Sequence, residues 1–516
     1  MNPKATQRAG VIDIGTSSIK LIIGEVTNGD ITVLESLKNV IPLGKYAFYK
    51  GRMFQEVINQ TVTILDKYRQ ALKEYDVSDI MVIATTAVRE AGNRDMFIDT
   101  VFRKTGFSIE VLTVGDVVYY IDSYLSYKLK NRYPIHSKNL LIAELGAGSL
   151  DVSVMEKGFA LMNMGLPLGA LRLTQLANEL DGSIQETNES LQEYIENFFI
   201  YLKKALPDIS LDDIILVDEN FAPYIQSILA DKKSEEKFFP FTRGDSESLL
   251  SLFSDRNSED IAATYHIPLE IADMIPAYTT ILHRLFSLTG QDHVFILETS
   301  LQEAILANRL LNLDLSDKYN KTNQLISVAM FLCKKYGVDL NHSENVAKMS
   351  ETFFKKFKDH LGLKDEDLIY LLLAAYLHDI GTFIHNRAHH KHTEYIISQL
   401  NLFRLSEDDV KIIACVARYH RKATPRNTHM LYSSLPSDKQ ILVQKLCSLL
   451  RMANALDRTH KQKVHKLEVK MNKNQDVTLV VHTKENFNLE KAAFLDKKGF
   501  FEEITGNKTG LSIKSD

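Results

Sequence analysis

Apolar and polar positions follow two periods along this chain, and the change of period divides it. From Gly10 to Val26 the sequence GVIDIGTSSIKLIIGEV runs as an apolar strand closing on Asp13, a Gly-Thr-Ser-Ser turn, and a second strand with Ile19, Leu21 and Ile23 on one face. That is the period-two pattern of a β-hairpin. A near copy, LLIAELGAGSLDVSVMEKG, spans Leu140 to Gly158, and without a gap Asp13 falls on Glu144, Gly15 on Gly146, Ser18 on Ser149 and Lys20 on Asp151. An internal repeat of this kind predicts two similarly built halves.

The first half continues with a strand over Ile31–Leu37 and a basic loop, Ile41–Arg52, carrying Lys45, Lys50 and Arg52. An amphipathic helix follows over Met53–Tyr75, then a strand over Ile80–Ala84 that Thr85 and Thr86 cap into a helix. A strand over Ile109–Thr113 and a helix from Asp116 close it. The second half runs on through GLPLGALRLT (165–174) and helices to Leu206. Strands at Asp213–Val217 and His293–Leu297 flank a helix over Pro268–Leu288, and the half ends near Asn312. The polar stretch Asp314–Gln324 reads as a boundary. From Leu325 the period becomes helical, with no strand pattern before Val464, and the tail Lys466–Asp516 alternates again. The expected organisation is an α/β class in four pieces, residues 1–135, 136–313, 322–463 and 464–516, the third all-helical and the last a small α+β cap.

Composition adds bounds. A chain of 516 residues exceeds one hydrophobic core, and 45% hydrophobic with 25% charged residues is ordinary for a globular protein. A net charge of −5 does not suggest a dedicated nucleic-acid binder. Cys333, Cys415 and Cys447 are widely spaced in apolar helical sequence and read as reduced thiols, and no apolar leader or spanning run is seen, so a cytoplasmic location without membrane association is expected.

The chemistry gathers at the two turns. Glycine lets backbone close around an anion, Ser and Thr add hydroxyl donors, and a carboxylate at the strand end suits Mg²⁺ beside phosphate. An ordinary pair of hairpins is the alternative, weakened by the carboxylate standing in the same place twice.

These stretches resemble the exopolyphosphatase and guanosine pentaphosphate phosphohydrolase (Ppx/GppA) family. Asp13–Ser18 (DIGTSS) is similar to that family's DIGSNS and Glu144–Asp151 (ELGAGSLD) to its DIGGGSTE. ATTAVREAGNR, GLPLGALRLT and FILETSLQEAIL also match in order, and LLLAAYLHDIGTFI, HHKHTEYIIS and RYHRK resemble its HD-like third domain. The resemblance implies two actin-like (ribonuclease H-like) lobes followed by an all-α HD-like domain and the cap. It also implies a cleft where Gly15, Thr16, Ser17, Ser18, Lys20, Gly146, Ala147, Gly148 and Ser149 grip phosphate, Asp13, Glu144 and Asp151 hold Mg²⁺, and Arg89 neutralises charge. The implied partners are polyphosphate or guanosine penta- or tetraphosphate, with a homodimer as the assembly.

The sequence departs from the family at several points. The glutamate taken to activate water aligns with Val117, which leaves Asp116 or Glu90 as the candidate base. Ala147 replaces a glycine, and Asp218-Glu219-Asn220 stands where a GGT-like stretch is expected. In the HD-like part the implied metal ligands are His342, His378 and Asp379, with His385, His389, His390 and His392 as further candidates. Asn454 takes the place of the last expected ligand, so a catalytically silent helical domain is the expectation there. Arg418, His420, Arg421, Lys422 and Arg426, with Arg387 and Lys391, make either a track for polyphosphate or a solvated helix end. Three activities follow: phosphoanhydride hydrolysis in the cleft, binding without turnover, or HD-type phosphohydrolysis.

Overall fold

The computed structural model describes residues 7–229, 236–253, 256–313, 317–472 and 476–514. The expectations for residues 1–6, for 314–316 of the polar boundary and for 515–516 of the tail lie outside the described residues. The chain forms two compact units, Met1–Asn320 and Lys321–Asp516.

The first unit contains the repeat twice over. Strands β1 (Gln7–Ile14), β2 (Ser18–Thr27), β3 (Asp30–Val40), β4 (Asp79–Ala84) and β5 (Ile109–Val111) form a sheet in the order β3-β2-β1-β4-β5. Strands β6 (Asn139–Leu145), β7 (Leu150–Glu156), β8 (Phe159–Leu166), β9 (Asp213–Asp218), β10 (Phe238–Thr242) and β11 (His293–Glu298) form a second sheet in the order β10-β11-β9-β6-β7-β8. Leaving β10 aside, order and direction coincide: two antiparallel pairings, then two parallel ones. The correspondence reaches single residues. The register of β2 on β3 shifts between Ile23 and Gly24, and that of β7 on β8 between Val154 and Met155, the positions that align in the repeat.

One core joins the sheets. Ala9, Val11 and Ile22 of the first and Leu140, Ile142 and Val217 of the second belong to the same buried cluster as Val117, Ile121 and Leu125 of helix Val114–Lys128 and Ile305 and Leu306 of helix Leu301–Leu311. Although helix Leu301–Leu311 closes the second half in sequence, it packs on the first sheet: Leu306 lies beneath Gly24 so closely that a Cβ there would stand 2.8 Å from it. Arg309 fastens the helix to Asp79 of β4.

Two expectations are corrected here, and one strand, β10, was not foreseen. The basic stretch 41–52 contains helix Leu43–Lys50, which buries Leu43, Gly44 and Ala47 and leaves Lys45 and Lys50 exposed. The helix expected over Pro268–Leu288 is broken into Leu269–Ala272 and Ile275–Leu285, because Pro276 has no N–H to continue a helix and suits the start of one. Strand β10 carries Pro240, which hides its period, and a proline is tolerated there because β10 is an edge strand.

The second unit is helical, with Lys321–Lys335, Leu340–Leu361, Leu368–Leu377, His389–Ser398, Glu407–Arg418 and Ser437–Ala455, followed by β12 (Lys466–Met471), β13 (Val477–His482), helix Asn488–Thr505 and β14 (Thr509–Lys514). The three strands form one sheet in the order β12-β13-β14. Among the described residues no helix is long and apolar enough to cross a membrane. The three cysteines are free and buried.

Candidate functional site

The two hairpin turns face each other across the first unit and are built alike. In each, the glycine N–H donates to the carbonyl three residues on: Gly15 to Ser18 at 3.0 Å and Gly146 to Ser149 at 3.0 Å. This bond curls the turn over the carboxylate that ends the preceding strand. Asp13 lies opposite Lys20 across β1–β2, and Glu144 opposite Asp151 across β6–β7. The first hairpin therefore offers one charge of each sign and the second offers two carboxylates.

Between them is a cavity of about 70 Å³ lined by Asp13, Gly15–Ser18, Lys20, Thr85, Thr86, Val117, Glu144, Gly146–Ser149, Asp151, Glu219, Asn220 and Leu301. All the implied phosphate-gripping and Mg²⁺-holding residues are thus brought together. The opposed surfaces also touch. Thr86 Oγ1 and Ser149 Oγ are 2.9 Å apart, the Lys20 ammonium is paired with Glu219, and Arg172 bonds Glu90 at 2.8 and 2.9 Å while stacking over Phe48. Gly169 holds the second turn in place, since a Cβ there would lie 2.2 Å from the carbonyl carbon of Gly148 and 2.3 Å from the Ala147 oxygen.

Burial dominates the electrostatics. It pushes Asp13 up to about 6, an effect that Lys20 moderates and Glu219 reinforces. Glu144 is raised well above the usual carboxylate range by burial and by the neighbouring charges of Asp151, Glu219, Asp13 and Asp218. Burial also raises Asp151, against the pull of Arg89. The ammonium of Lys20 would be lowered by burial, but Glu219 and Asp13 outweigh that and hold it protonated. Two carboxylate oxygens here, Asp13 Oδ1 and Asp151 Oδ1, are buried without a hydrogen-bond partner. Crowded carboxylates with orphaned oxygens fit a hard divalent cation, which favours oxygen ligands.

The two candidate bases lie elsewhere. Asp116 is the third residue of helix Val114–Lys128 and its carboxylate accepts from the Thr113 N–H at 3.0 Å and the Thr113 hydroxyl at 2.8 Å, a capping box. Glu90 is held by Arg172, and neither acid lines the cavity. Arg89 spans from the Leu112 carbonyl at 2.8 Å to Thr86 Oγ1 at 3.2 Å and so buttresses the cavity wall from outside. The residue that does face the cavity at this point is Val117.

In the second unit His342, His378 and Asp379 come together as the resemblance implies, and three more histidines join them. His342 Nε2 lies 3.2 Å from His378 Nε2, and His389 Nε2 lies 3.2 Å from His420 Nε2. Asp379 reaches both pairs: Oδ2 is 3.6 Å from His378 Nε2, while Oδ1 is 3.2 Å from His389 Nε2 and 3.6 Å from His420 Nε2. His460 stacks on His342 with ring centroids 3.5 Å apart. Gly381 permits the approach, because a Cβ there would meet the His389 carbonyl at 2.2 Å.

His385 instead stands exposed, its Nδ1 accepting from the Arg387 N–H at 2.8 Å. Neither His390 nor His392 belongs to the ligand groups found among the described residues. His420 is buried in this cluster and so does not form part of a basic surface, and Arg418 is spent on Glu394. The order H…HD…H…H…H was present in the sequence, but His420 was hidden in a basic run and His460 in the turns that follow helix Ser437–Ala455.

The Ppx/GppA phosphatase family profile matches residues 21–313, and its domain III profile matches residues 326–497. A bifunctional 3-dehydroquinate synthase/phosphatase of Fusobacterium nucleatum is 26% identical over 314 residues, 57% of this chain and 46% of that protein, so the chain spans less than half the length of that relative. A guanosine-5'-triphosphate,3'-diphosphate pyrophosphatase of Pseudoalteromonas translucida is 21% identical over 458 residues, 86% of each chain. Among solved structures, an exopolyphosphatase from Cytophaga hutchinsonii aligns with a TM-score of 0.53 at 20% identity over 59% of this chain and 98% of that one, which shows the same two-lobed fold.

Proposed function

The chain belongs to the Ppx/GppA phosphatase family, and on that premise we propose that its cleft hydrolyses a terminal phosphoanhydride bond of inorganic polyphosphate or guanosine pentaphosphate with Mg²⁺ bound. The observation that carries this reading is the pair of turns with the same Gly-to-Ser backbone bond closing on one cavity over Asp13, Glu144 and Asp151. Asp13 and Asp151, with their orphaned oxygens, would hold Mg²⁺. Bound there, the ion would neutralise phosphate charge as the bond breaks. The substrate classes are those named for relatives of this chain.

The remaining roles fall to the chain's own groups. The Ser17 and Ser18 hydroxyls, with Lys20, line one side of the terminal phosphate and Ser149 the other. Water attacks the terminal phosphorus, the bridging P–O bond breaks, and the shortened chain departs with the bridging oxygen. We assign the accepting carboxylate to Glu144: it lines the cavity, and burial together with the charges of Asp151, Glu219, Asp13 and Asp218 strengthens its hold on a proton. Among the described residues the other acid of the lining outside the proposed Mg²⁺ ligands is Glu219, whose carboxylate is taken up by Lys20. The free, buried thiols fit a reducing cytoplasm.

Phosphate release from purified protein given polyphosphate or guanosine pentaphosphate with Mg²⁺ tests the reading. Release above background supports it. Retained binding without release refutes it in favour of a binding-only cleft, the reading that Val117 supports.

A further inference from the structure

The second unit holds a histidine cluster that hydrogen bonding between neutral rings leaves unsatisfied. His378 Nδ1 contacts the Ala375 carbonyl at 2.7 Å and His420 Nδ1 the Ala417 carbonyl at 2.6 Å. A carbonyl only accepts, so each Nδ1 carries the proton and each Nε2 presents a lone pair. His342 is fixed the same way by Asp457 Oδ2 at 2.8 Å from its Nδ1. His389 Nδ1 lies 3.1 Å from the Asn386 carbonyl and 3.3 Å from Arg421 Nη1, which demand opposite tautomers; the shorter contact makes it a donor too.

Four Nε2 lone pairs therefore face one another in two contacts of 3.2 Å, around a carboxylate that is itself only an acceptor. Supplying protons would bury two imidazolium ions in one cluster, with Asp457 behind His342 and Asp379 shared among the other rings, a costly arrangement. A cation satisfies every group at once.

We propose that this cluster is a dinuclear transition-metal centre bridged by Asp379. His342, His378 and His460 serve one ion beside Asp379 Oδ2, and His389 and His420 serve the other beside Oδ1. The outer partners match what ligating histidines show, in which the distal ring N–H is given to a carbonyl or carboxylate that orients the ring. Asp457 is one such partner, and Asn454 is not needed. Donors dominated by imidazole select Fe²⁺ or Zn²⁺ over Mg²⁺, and Mn²⁺, a weaker binder of nitrogen, serves as a paramagnetic substitute for them at the bridging carboxylate. A single bridging carboxylate leaves two divalent ions strongly positive, so the open side, where Asp379 and His460 keep partial exposure, takes an oxyanion such as phosphate.

The test is metal content of the full-length protein after loading with Mn²⁺ and desalting. About two equivalents are expected for the wild type, about one for His420→Gln and none for Asp379→Asn. Loading and desalting in a large excess of Mg²⁺ keeps Mn²⁺ out of the oxygen-ligand cleft, so Asp13→Asn is expected to keep the wild-type Mn²⁺ content, which separates this centre from the cleft reading. Inorganic phosphate should perturb the electron paramagnetic resonance of the Mn²⁺-loaded wild type but not of Asp379→Asn. Circular dichroism of each variant establishes that it is folded. Wild-type content no higher than that of folded Asp379→Asn, with Mn²⁺, Fe²⁺ and Zn²⁺ alike, would overturn the proposal, as would loss of the metal in Asp13→Asn.

Discussion

Glu219 sits in the cleft where it opposes the chemistry proposed there, and replacing it with glutamine gives a signed expectation. Its carboxylate pairs with Lys20, the only cation lining the cavity among the described residues, and adds to the negative field of Asp13 and Glu144. An incoming phosphate must displace this partner and approach the same carboxylate. For unit charges about 4 Å apart at an effective dielectric of about 20 the interaction is roughly 4 kcal/mol. The side chain of Lys20 is 14% exposed and that of Glu219 33%, so solvent screening and the desolvation already spent reduce the net benefit of removal to about 1–2 kcal/mol. Glu219→Gln should therefore bind inorganic tripolyphosphate roughly 5- to 30-fold more tightly at saturating Mg²⁺. Titration calorimetry reads this directly, and thermal unfolding confirms an intact fold. Binding that is unchanged or weaker in a folded variant would show that Lys20 is not a phosphate ligand held in check by Glu219.

Two further outcomes follow from burial and packing. Gly169→Ala would push a methyl into the backbone of Gly148 and should lower stability by about 1–3 kcal/mol or more, with loss of phosphate binding, measured by denaturant titration and calorimetry. Asp122 is buried beside Ser153 and raised by burial to about 8, so the folded protein keeps a proton that the unfolded chain releases near pH 4. Its contribution to stability is present below that pH and declines up to about pH 8, at a slope approaching 1.4 kcal/mol per pH unit. Asp122→Asn should flatten the fall in melting temperature over that range, and an unaltered profile would count against a protonated Asp122.

How far the sequence could be read depended on how local each feature was. The repeat was legible because each hairpin is encoded within about seventeen residues, and its period, turn and terminal carboxylate need no tertiary context. Even the fate of Asp116 was written locally: Thr113 and Asp116 stand at capping-box spacing, a competing role for the acid that alignment with a catalytic position obscured. Helix Leu43–Lys50 was not legible because the eight residues LGKYAFYK are too few to show a period, and its burial is decided by Thr16 packing against Gly44. The metal cluster was half legible. His378 and Asp379 are adjacent, but His420 and His460 reach them only through the packing of separate helices, and the lone pairs appear only once the carbonyls behind each ring are seen.

The central claim is that the cleft between the two hairpins breaks the phosphoanhydride bond. Initial rates of phosphate release from polyphosphate with Mg²⁺, compared for wild type, Glu144→Gln and Asp379→Asn, test it most directly. Glu144→Gln should lose roughly 10²–10⁴-fold while Asp379→Asn keeps the wild-type rate. Full activity in Glu144→Gln, with loss in a folded Asp379→Asn, would contradict it and move the reaction to the second unit.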